Sequence, residues 1–366
     1  MRQRCELGGA LTIEPDSLHG TVLTLPSPAA NRGDARPVAF PTRQPGVLGC
    51  ALVASDITVF SGSAHREFAQ EVCDLLGVPL APSQTTRFSN DCLQVHLGAN
   101  CRKREVFIVQ PLVPPVQENL VELLLMLDAA RGASAGHLTV VMPHYAYARS
   151  DKKDAPRISI GARLVADLMH KAGAKRVVTM ALHSPQVHGM FEMPVDHLSP
   201  NHVLARHFRQ RDLSNAVVVS PDFGNVKEAN HFARLLDIPV AAGSKRRMAD
   251  DKVIIDSIVG DVAGKDVIVL DDEIATGGSL IELFDKLREV GVNSISAACV
   301  HGLFTGPAME RLRAQDDLVE IVCTNTVPVP PEKRLPNMTV LSVAPLFAEA
   351  IRRIDRGESI SSLFDA

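Results

Sequence analysis

The sequence predicts an α/β fold with two domains, each built on a mostly parallel sheet flanked by helices. Nine short apolar runs rich in β-branched residues recur between Ile57 and Val343, and amphipathic stretches separate many of them. Strands that alternate with helices typically form parallel, doubly wound sheets. Nine strands are many for one sheet, so the pattern favours two domains over one.

The elements follow one another regularly along the chain. Strands are expected at Ile57–Phe60, Val106–Gln110, Leu138–Met142, Val177–Met180, Val217–Ser220, Val267–Leu270, Ser296–Val300, Glu320–Cys323 and Val340–Val343. Helices are expected at Ala64–Leu76, Glu118–Ala130, Gly161–Ala172, Val226–Leu236, Leu280–Val290, Pro307–Arg313 and Ala344–Asp355. Run length and apolar period separate the two kinds of element.

Changes in composition suggest the domain limits. Residues 1–54 carry Gly, Pro and Ser with only short apolar runs, which indicates an irregular extension. We expect one α/β domain at 55–200 and a second at 201–346. The final segment, 347–366, is expected to pack back on the first domain as a helix.

Composition excludes several classes of protein. The chain has 366 residues, 46% of them hydrophobic and 22% charged, with a net charge of −4. This balance is typical of a globular protein and does not favour nucleic acid or an anionic membrane as partner. No apolar stretch reaches the ~20 residues of a membrane helix, and no signal peptide is evident. The seven scattered cysteines form no C-x-x-C pair, so we expect reduced thiols in the cytoplasm.

Residues 267–280 carry the strongest functional signal. The apolar run Val267–Leu270 ends in Asp271 and Asp272, and a helical stretch begins near Leu280. Small residues lie between them: Ala275, Thr276, Gly277, Gly278 and Ser279. Backbone N–H groups of such a loop, with the dipole of the helix, form a phosphate cradle, while the acids can hold sugar hydroxyls or a metal. The alternative is a strand-to-helix turn in which Asp merely favours the loop. We interpret the segment as a sugar-phosphate site.

Two further segments follow expected strands. The charged run from Arg149 to Arg157 is either a solvated loop or a clamp for a polyphosphate. His183 follows the strand at Val177–Met180 and is either structural or a ligand of metal or phosphate. Ligands of open α/β sheets bind outside the carboxyl ends of strands, which favours the functional alternatives.

Two more segments complete the set. Asp222 follows the strand at Val217–Ser220, either as a helix N-cap or as a metal or substrate ligand. The cations Lys245, Arg246 and Arg247 are expected on a mobile loop, where they either aid solubility or close over a transferring phosphoryl group.

From Ile57 to Phe364, the chain resembles ribose-phosphate pyrophosphokinases, because these and other segments look like segments of that family and follow one another in the same order. The matching motifs are Phe60-Ser-Gly-Ser-Ala-His65, Arg87-Phe88-Ser89, Pro114-Pro-Val-Gln-Glu-Asn119, Ser159–Asp167, Pro194-Val-Asp-His197, Ser220-Pro-Asp222 and the closing Leu341-Ser-Val-Ala-Pro through Gly357-Glu-Ser to Phe364.

The resemblance implies two phosphoribosyltransferase-type domains and a reaction of Mg-ATP with ribose 5-phosphate. The products would be phosphoribosyl pyrophosphate and AMP, and Mg²⁺ would be the cofactor. Residues Asp271 to Ser279, apart from Glu273 and Ile274, would bind ribose 5-phosphate, and Lys245 and Arg247 would be catalytic. His183 and Asp222 would hold the metal. The nucleotide would meet Phe88, Asn90, Cys92, Arg149 and Ser150. The resemblance also implies a homo-oligomer, usually a hexamer built from dimers.

The chain departs from the usual family pattern at several positions. It reads Asn90-Asp91-Cys92 for Asp-Gly-Glu, Arg149-Ser150 for Arg-Gln, Ala181 for an acid and Ala275 for Asp. Cys92 cannot hydrogen-bond as Glu does, and Ser150 is shorter than Gln. We therefore expect these substitutions to affect nucleotide preference and affinity.

Two other functions compete with synthesis of phosphoribosyl pyrophosphate. A non-catalytic, regulatory relative is favoured by the substituted nucleotide positions and disfavoured by the intact cations. A phosphoribosyltransferase shares the sugar-phosphate loop, but the nucleotide segments and the cations argue against it.

Overall fold

The first half of the chain is built on a six-stranded sheet. Its central strands consist mainly of consecutive apolar residues, as expected for strands that are buried on both faces. The computed structural model describes residues 57–249 and 252–364, and at 245–249 and 252–254 it describes the backbone alone. The strands of the first sheet are β1 (Ile57–Ser61), β2 (Leu80–Ala81), β5 (Glu105–Val109), β6 (His137–Met142), β7 (Arg176–Met180) and β8 (Val195–Leu198). Their order is β2-β1-β5-β6-β7-β8, and all pairs are parallel. Between β2 and β5, an antiparallel hairpin joins β3 (Ser83–Arg87) to β4 (Leu93–Leu97).

Helices cover both faces of this sheet. They are α1 (Arg66–Leu76), α2 (Val116–Gly132), α3 (Gly161–Ala172) and, from the end of the chain, α8 (Ala344–Arg356). Successive residues of a strand point to opposite faces. Accordingly, Val106 and Ile108 join one apolar core, whereas Phe107 and Val109 join another. The second core also holds Phe347 of α8, so both faces are buried, as parallel sheets require.

The closing helix α8 lies against α1. The rings of Phe68 and Phe347 meet edge to face with centroids 5.4 Å apart, and the Arg352 side chain donates to the carbonyl of Leu75 at 3.1 Å. Helix α8 ends at Gly357, whose φ of +66° a residue without Cβ adopts readily.

A seven-stranded sheet organises the second half. Its strands are β9 (Ala216–Ser220), β10 (Val240–Ala249), β11 (Lys252–Val259), β12 (Asp266–Ile274), β13 (Ser294–Gly302), β14 (Leu318–Thr324) and β15 (Met338–Leu341). The order is β11-β10-β9-β12-β13-β14-β15, and β10 with β11 is the antiparallel pair. Its helices are α4 (Asn201–Phe208), α5 (Val226–Leu236), α6 (Gly278–Val290) and α7 (Ala308–Arg313). One core lies between the sheet and α6, and another between the sheet and α4 with α5.

The predicted fold class is confirmed: the protein is α/β, with two mostly parallel sheets flanked by helices. Helices α3 and α5 have the predicted bounds. Several elements were not expected: β2, the hairpin, β8, α4 and β11, together with most of β10. The sequence of β3, Ser-Gln-Thr-Thr-Arg, is polar throughout and offers no apolar alternation. The domain limits remain a prediction. The extension predicted at 1–54 lies outside the described residues. The described residues, within 57–364, belong to one compact unit.

Candidate active site

The candidate site lies where the carboxyl ends of strands from both sheets approach one another. A small cleft there is lined by side chains that follow β6 and β7 and by others on β12 and β13. The histidine and charged side chains among them are His144, Arg149, His183, Asp272, Glu273 and His301. The cleft therefore joins segments that are far apart in sequence.

Strand β12 is longer than the sequence predicts. The expected strand ended at Leu270, but β12 continues to Ile274, so Asp271 and Asp272 belong to the strand and not to the loop. Pairing with β9 stops at Val269, whereas pairing with β13 continues to Ile274. The neighbour on one side thus keeps the backbone extended beyond the apolar run.

The two acids of β12 are only partly buried, and their pKa values shift in opposite directions. Burial raises the pKa of Asp271, and the adjacent charge of Asp272 raises it further. Burial also acts to raise the pKa of Asp272, but hydrogen bonds with His183 and Asp271 outweigh it and lower that pKa to about 2. Asp271 Oδ1 in turn accepts the backbone N–H of Asp272 at 2.9 Å. Asp272 is therefore the more acidic member of the pair.

His183 reaches this pair from the first sheet. It lies just after β7, and its Nδ1 is 2.7 Å from Asp272 Oδ2. The hydrogen bond with Asp272 raises the pKa of His183, while burial acts against it. The side chain remains 41% exposed, so one ring edge is held and the rest faces the cleft.

The expected phosphate loop, Ala275–Ser279, is shorter in the structure, because α6 begins at Gly278 and includes Gly278 and Ser279. Gly277 is the N-cap residue with φ +73°, a conformation that favours glycine, and α6 begins at Gly278. The Arg311 guanidinium on α7 donates from Nη1 to the carbonyl of Thr276 at 2.9 Å. The same nitrogen would be 3.3 Å from a Cβ at Gly278, so a cation borders the loop.

The segment after β6 forms a short 3₁₀ helix, Ala146–Arg149, that presents Arg149 to the cleft. Arg149 Nη1 lies 3.3 Å from Glu273 Oε1, and His144 Nε2 lies 3.2 Å from Glu273 Oε2. Ser150 Oγ accepts the backbone N–H of Gly161, the first residue of α3, at 2.9 Å. The Ser150 hydroxyl oxygen thus accepts a backbone N–H at the N-terminus of α3.

Asp222 follows β9 but is not the N-cap of α5, because Asn225 occupies that position. Its Oδ1 instead accepts the backbone N–H groups of Gly224 at 2.9 Å and Asn225 at 3.2 Å. The charge of Asp222 contributes to the raised pKa of Asp271, so these two acids are neighbours. Within the described residues, no three His, Cys, Asp or Glu side chains are grouped to hold a metal by themselves.

Lys245 and Arg247 lie in β10, whereas a loop was expected there. Antiparallel pairing with β11 extends β10 to Ala249 and sets Lys245 opposite Ile255 and Arg247 opposite Val253. The partner strand supplies the backbone hydrogen bonds that a loop would leave to water. The run of cations suggested a loop, because local sequence does not show that a partner strand is present. The side chains of both cations lie outside the described atoms.

Phe88, Asn90 and Cys92 lie in the turn between β3 and β4. Phe88 is 47% exposed, and its N–H donates to the carbonyl of Cys92 at 2.8 Å. Asn90 Oδ1 accepts the N–H of Cys92 at 3.3 Å. The turn is exposed, so an aromatic ring and two small polar side chains are presented to solvent.

Sequence reasoning missed Glu273, His144 and Arg311. Glu273 had one usable signal, since it directly follows the two acids Asp271 and Asp272 at the end of the expected strand. Its side chain is 11% exposed and that of His144 is 3% exposed. Arg311 had no signal in the sequence, because it is 35 positions from Thr276 and no motif relates α7 to the loop before α6.

The two mostly parallel sheets and the loop between β12 and α6 define an α/β protein of the phosphoribosyltransferase fold class. Residues 57–173 match the N-terminal domain of ribose phosphate pyrophosphokinase, and residues 247–365 match the phosphoribosyl synthetase-associated domain. The chain belongs to the ribose-phosphate pyrophosphokinase family. The predicted family and the enzyme class are confirmed.

Relatives match over nearly their whole length. A Streptomyces coelicolor protein, provisionally named a ribose-phosphate pyrophosphokinase, is 66% identical over 311 residues, covering 85% of this chain and 98% of its own. The Deinococcus radiodurans ribose-phosphate pyrophosphokinase is 50% identical over 315 residues, covering 85% and 98%. The crystal structure of phosphoribosylpyrophosphate synthetase from Mycobacterium smegmatis is 38% identical with a TM-score of 0.78, covering 82% of this chain and 99% of that one. No helix among the described residues is long and apolar enough to cross a membrane.

Proposed function

We propose that this chain is a ribose-phosphate diphosphokinase, which transfers the pyrophosphoryl group of Mg-ATP to the 1-hydroxyl of ribose 5-phosphate. The sugar oxygen bonds to the β-phosphorus of ATP, the bond from that phosphorus to the bridging oxygen of the α-phosphate breaks, and AMP leaves with the electron pair. The hydroxyl proton passes to solvent, and phosphoribosyl pyrophosphate forms.

One observation carries the proposal: the 2.7 Å contact between His183 and Asp272. It joins the segment after β7, on the nucleotide side, to the strand that leads into the phosphate loop. Two anionic reactants have to meet for this reaction, and positioning with charge neutralisation does most of the catalytic work in phosphoryl transfer.

On the sugar side, Asp271 and Asp272 bind the ribose hydroxyls, and residues Ala275 to Ser279 bind the 5-phosphate. The N–H groups at the start of α6 aim at that phosphate, and Arg311 adds a positive charge beside them. We assign this role to the domain at 201–346. The domain at 55–200, with 347–366 against it, takes the nucleotide.

On the nucleotide side, Arg149 and Ser150 meet the phosphates and Phe88, Asn90 and Cys92 meet the base. The exposed Phe88 ring offers a face for stacking. Lys245 and Arg247 close on the transferring group, where negative charge accumulates.

The donor set fits Mg²⁺. Burial raises the pKa of Asp271, and the charges of Asp272 and Asp222 raise it further; a divalent cation relieves that repulsion. Mg²⁺ is usually held by one or two protein ligands together with water and substrate phosphates. His183 and Asp222 would hold the ion, which neutralises phosphate charge when bound.

We further propose that the enzyme is a cytoplasmic homo-oligomer, a hexamer by family resemblance, with no nucleic acid or membrane partner. The exposed hairpin turn supports this, because a neighbouring subunit can complete a nucleotide site around Phe88. Light scattering after size exclusion measures the mass against the 39.5 kDa chain.

The test of function is AMP formation. Purified protein is incubated with Mg-ATP and ribose 5-phosphate, and AMP is quantified by chromatography, with controls that omit the sugar phosphate or replace Mg²⁺ by EDTA. AMP that depends on both additions supports the proposal. Absence of AMP, with ATP still bound, would identify the regulatory relative, which the internal hydrogen bond of Ser150 favours. Release of pyrophosphate from phosphoribosyl pyrophosphate and a nucleobase would identify a phosphoribosyltransferase.

A further inference from the structure

Glu273 connects the two sides of the cleft through both of its carboxylate oxygens. Oε1 lies 3.3 Å from Arg149 Nη1, and Oε2 lies 3.2 Å from His144 Nε2. Its side chain is 11% exposed, whereas that of Arg149 is 54% exposed. A nearly buried acid thus holds one guanidinium nitrogen of an arginine that is half exposed and lines the cleft.

The two partners of Glu273 delimit one short segment. His144 follows β6, and Arg149 ends the 3₁₀ helix at 146–149. The other ring nitrogen of His144, Nδ1, lies 2.8 Å from the carbonyl oxygen of Leu112, and both residues are buried. The segment is therefore attached at both ends to Glu273 and at one end to the loop after β5.

The backbone of Glu273 is equally constrained. It lies in β12, directly after Asp272, and pairs in register with His301 of β13. Asp272 contacts His183, so adjacent residues of one strand reach two different segments of the first sheet. The burial of the Glu273 carboxylate acts to raise its pKa, but hydrogen bonding with His144 outweighs this and lowers it, which agrees with a paired, charged acid.

We infer that Glu273 is a positioning residue for the nucleotide: it orients Arg149 toward the ATP phosphates from the strand that binds the pentose phosphate. The inference rests on the proposed function for the identity of the nucleotide. Glu273 does not itself touch substrate, and it acts through Arg149. Its loss would leave Arg149 free to adopt other rotamers and so weaken ATP binding.

The test is a double-mutant cycle with Glu273→Gln, Arg149→Ala and the double variant. Gln keeps the size of the side chain but lacks the charge and one acceptor. We expect Glu273→Gln to raise the KM for ATP about tenfold, which is the scale for loss of a charge-assisted hydrogen bond. The KM for ribose 5-phosphate should change by less than about twofold. In the Arg149→Ala background the same substitution should add almost nothing, because coupled residues are not additive.

Glu273→Asp and Glu282→Gln complete the series. Asp keeps the charge but withdraws it by one methylene, so it should resemble Gln; full wild-type affinity for ATP would overturn a positional role. Glu282 is exposed on α6 and serves as the matched control, with unchanged kinetics expected. Melting temperatures within a few degrees of wild type exclude unfolding as the cause. An additive effect in the Arg149→Ala background would also overturn the inference.

Direct ATP binding by calorimetry separates this inference from the proposed function. If wild-type protein forms no AMP but Glu273→Gln still weakens ATP binding, the positioning role stands and the proposed reaction fails. If wild-type protein forms AMP and Glu273→Gln binds ATP normally, the reaction stands and the positioning role fails.

Discussion

His183 Nδ1 lies 2.7 Å from Asp272 Oδ2, which joins the end of β7 in one sheet to β12 in the other. The hydrogen bond orients the imidazole so that its opposite nitrogen, Nε2, is directed away from Asp272. A histidine held in this way by a carboxylate is a typical ligand arrangement, because the second partner sets the ring orientation.

His183→Ala should raise the Mg²⁺ concentration needed for half-maximal AMP formation by about 10–100-fold, the usual scale for perturbed metal sites. Titrating MgCl₂ at fixed ATP measures it. His137→Ala is the control, since that side chain is 69% exposed at the start of β6. An unchanged Mg²⁺ dependence would remove His183 from the metal site.

Lys245→Ala and Arg247→Ala should each lower kcat by about 10²–10⁵, because they remove positive charge from the transferring group. Steady-state AMP formation measures the loss. Lys286→Ala is a matched control, since Lys286 pairs with Glu289 on the surface of α6. Near-normal turnover of either variant would exclude that residue from the mechanism.

Arg311→Ala should raise the KM for ribose 5-phosphate about tenfold or more, because a guanidinium beside the phosphate loop is lost. The KM for ATP should change little. Arg313→Ala removes the same charge two residues along α7 and should behave as wild type. Equal effects of the two substitutions would point to general electrostatics rather than to contact with phosphate.

Stability should fall between about pH 6.5 and pH 4 because of His197. Burial lowers its pKa from 6.5 to about 4; Glu228 acts to raise it and His188 to lower it further. Its Nε2 accepts the backbone N–H of Leu182 at 2.9 Å, so the folded ring is neutral. As pH falls through this window the unfolded chain takes up a proton that the folded chain does not, and the free energy of unfolding decreases.

Urea unfolding across this pH window measures the effect. His197→Gln retains a hydrogen-bond acceptor but does not titrate, so its free energy of unfolding should fall less steeply than that of the wild type. His137→Gln should leave the wild-type slope in place. Identical slopes for the wild type and His197→Gln would contradict the assignment.

Local pattern was enough to predict much of this protein. The bounds of α3 and α5, most strands and the segments that follow strand ends were evident, because hydrophobic period and glycine placement act over a few residues. The same pattern predicted that Asp271, Asp272 and the small residues after them would lie between a strand and a helix, although it ended the strand too early.

Tertiary structure decided which of these segments meet. The contacts of His183 with Asp272 and of Arg149 with Glu273 join residues that are 89 and 124 positions apart. The extension of β12 and of β10 depends on pairing with β13 and β11, and strand β3 of the hairpin is polar throughout and carries no apolar alternation. Such features depend on partners supplied by distant parts of the chain, which is why a window of local sequence does not contain them.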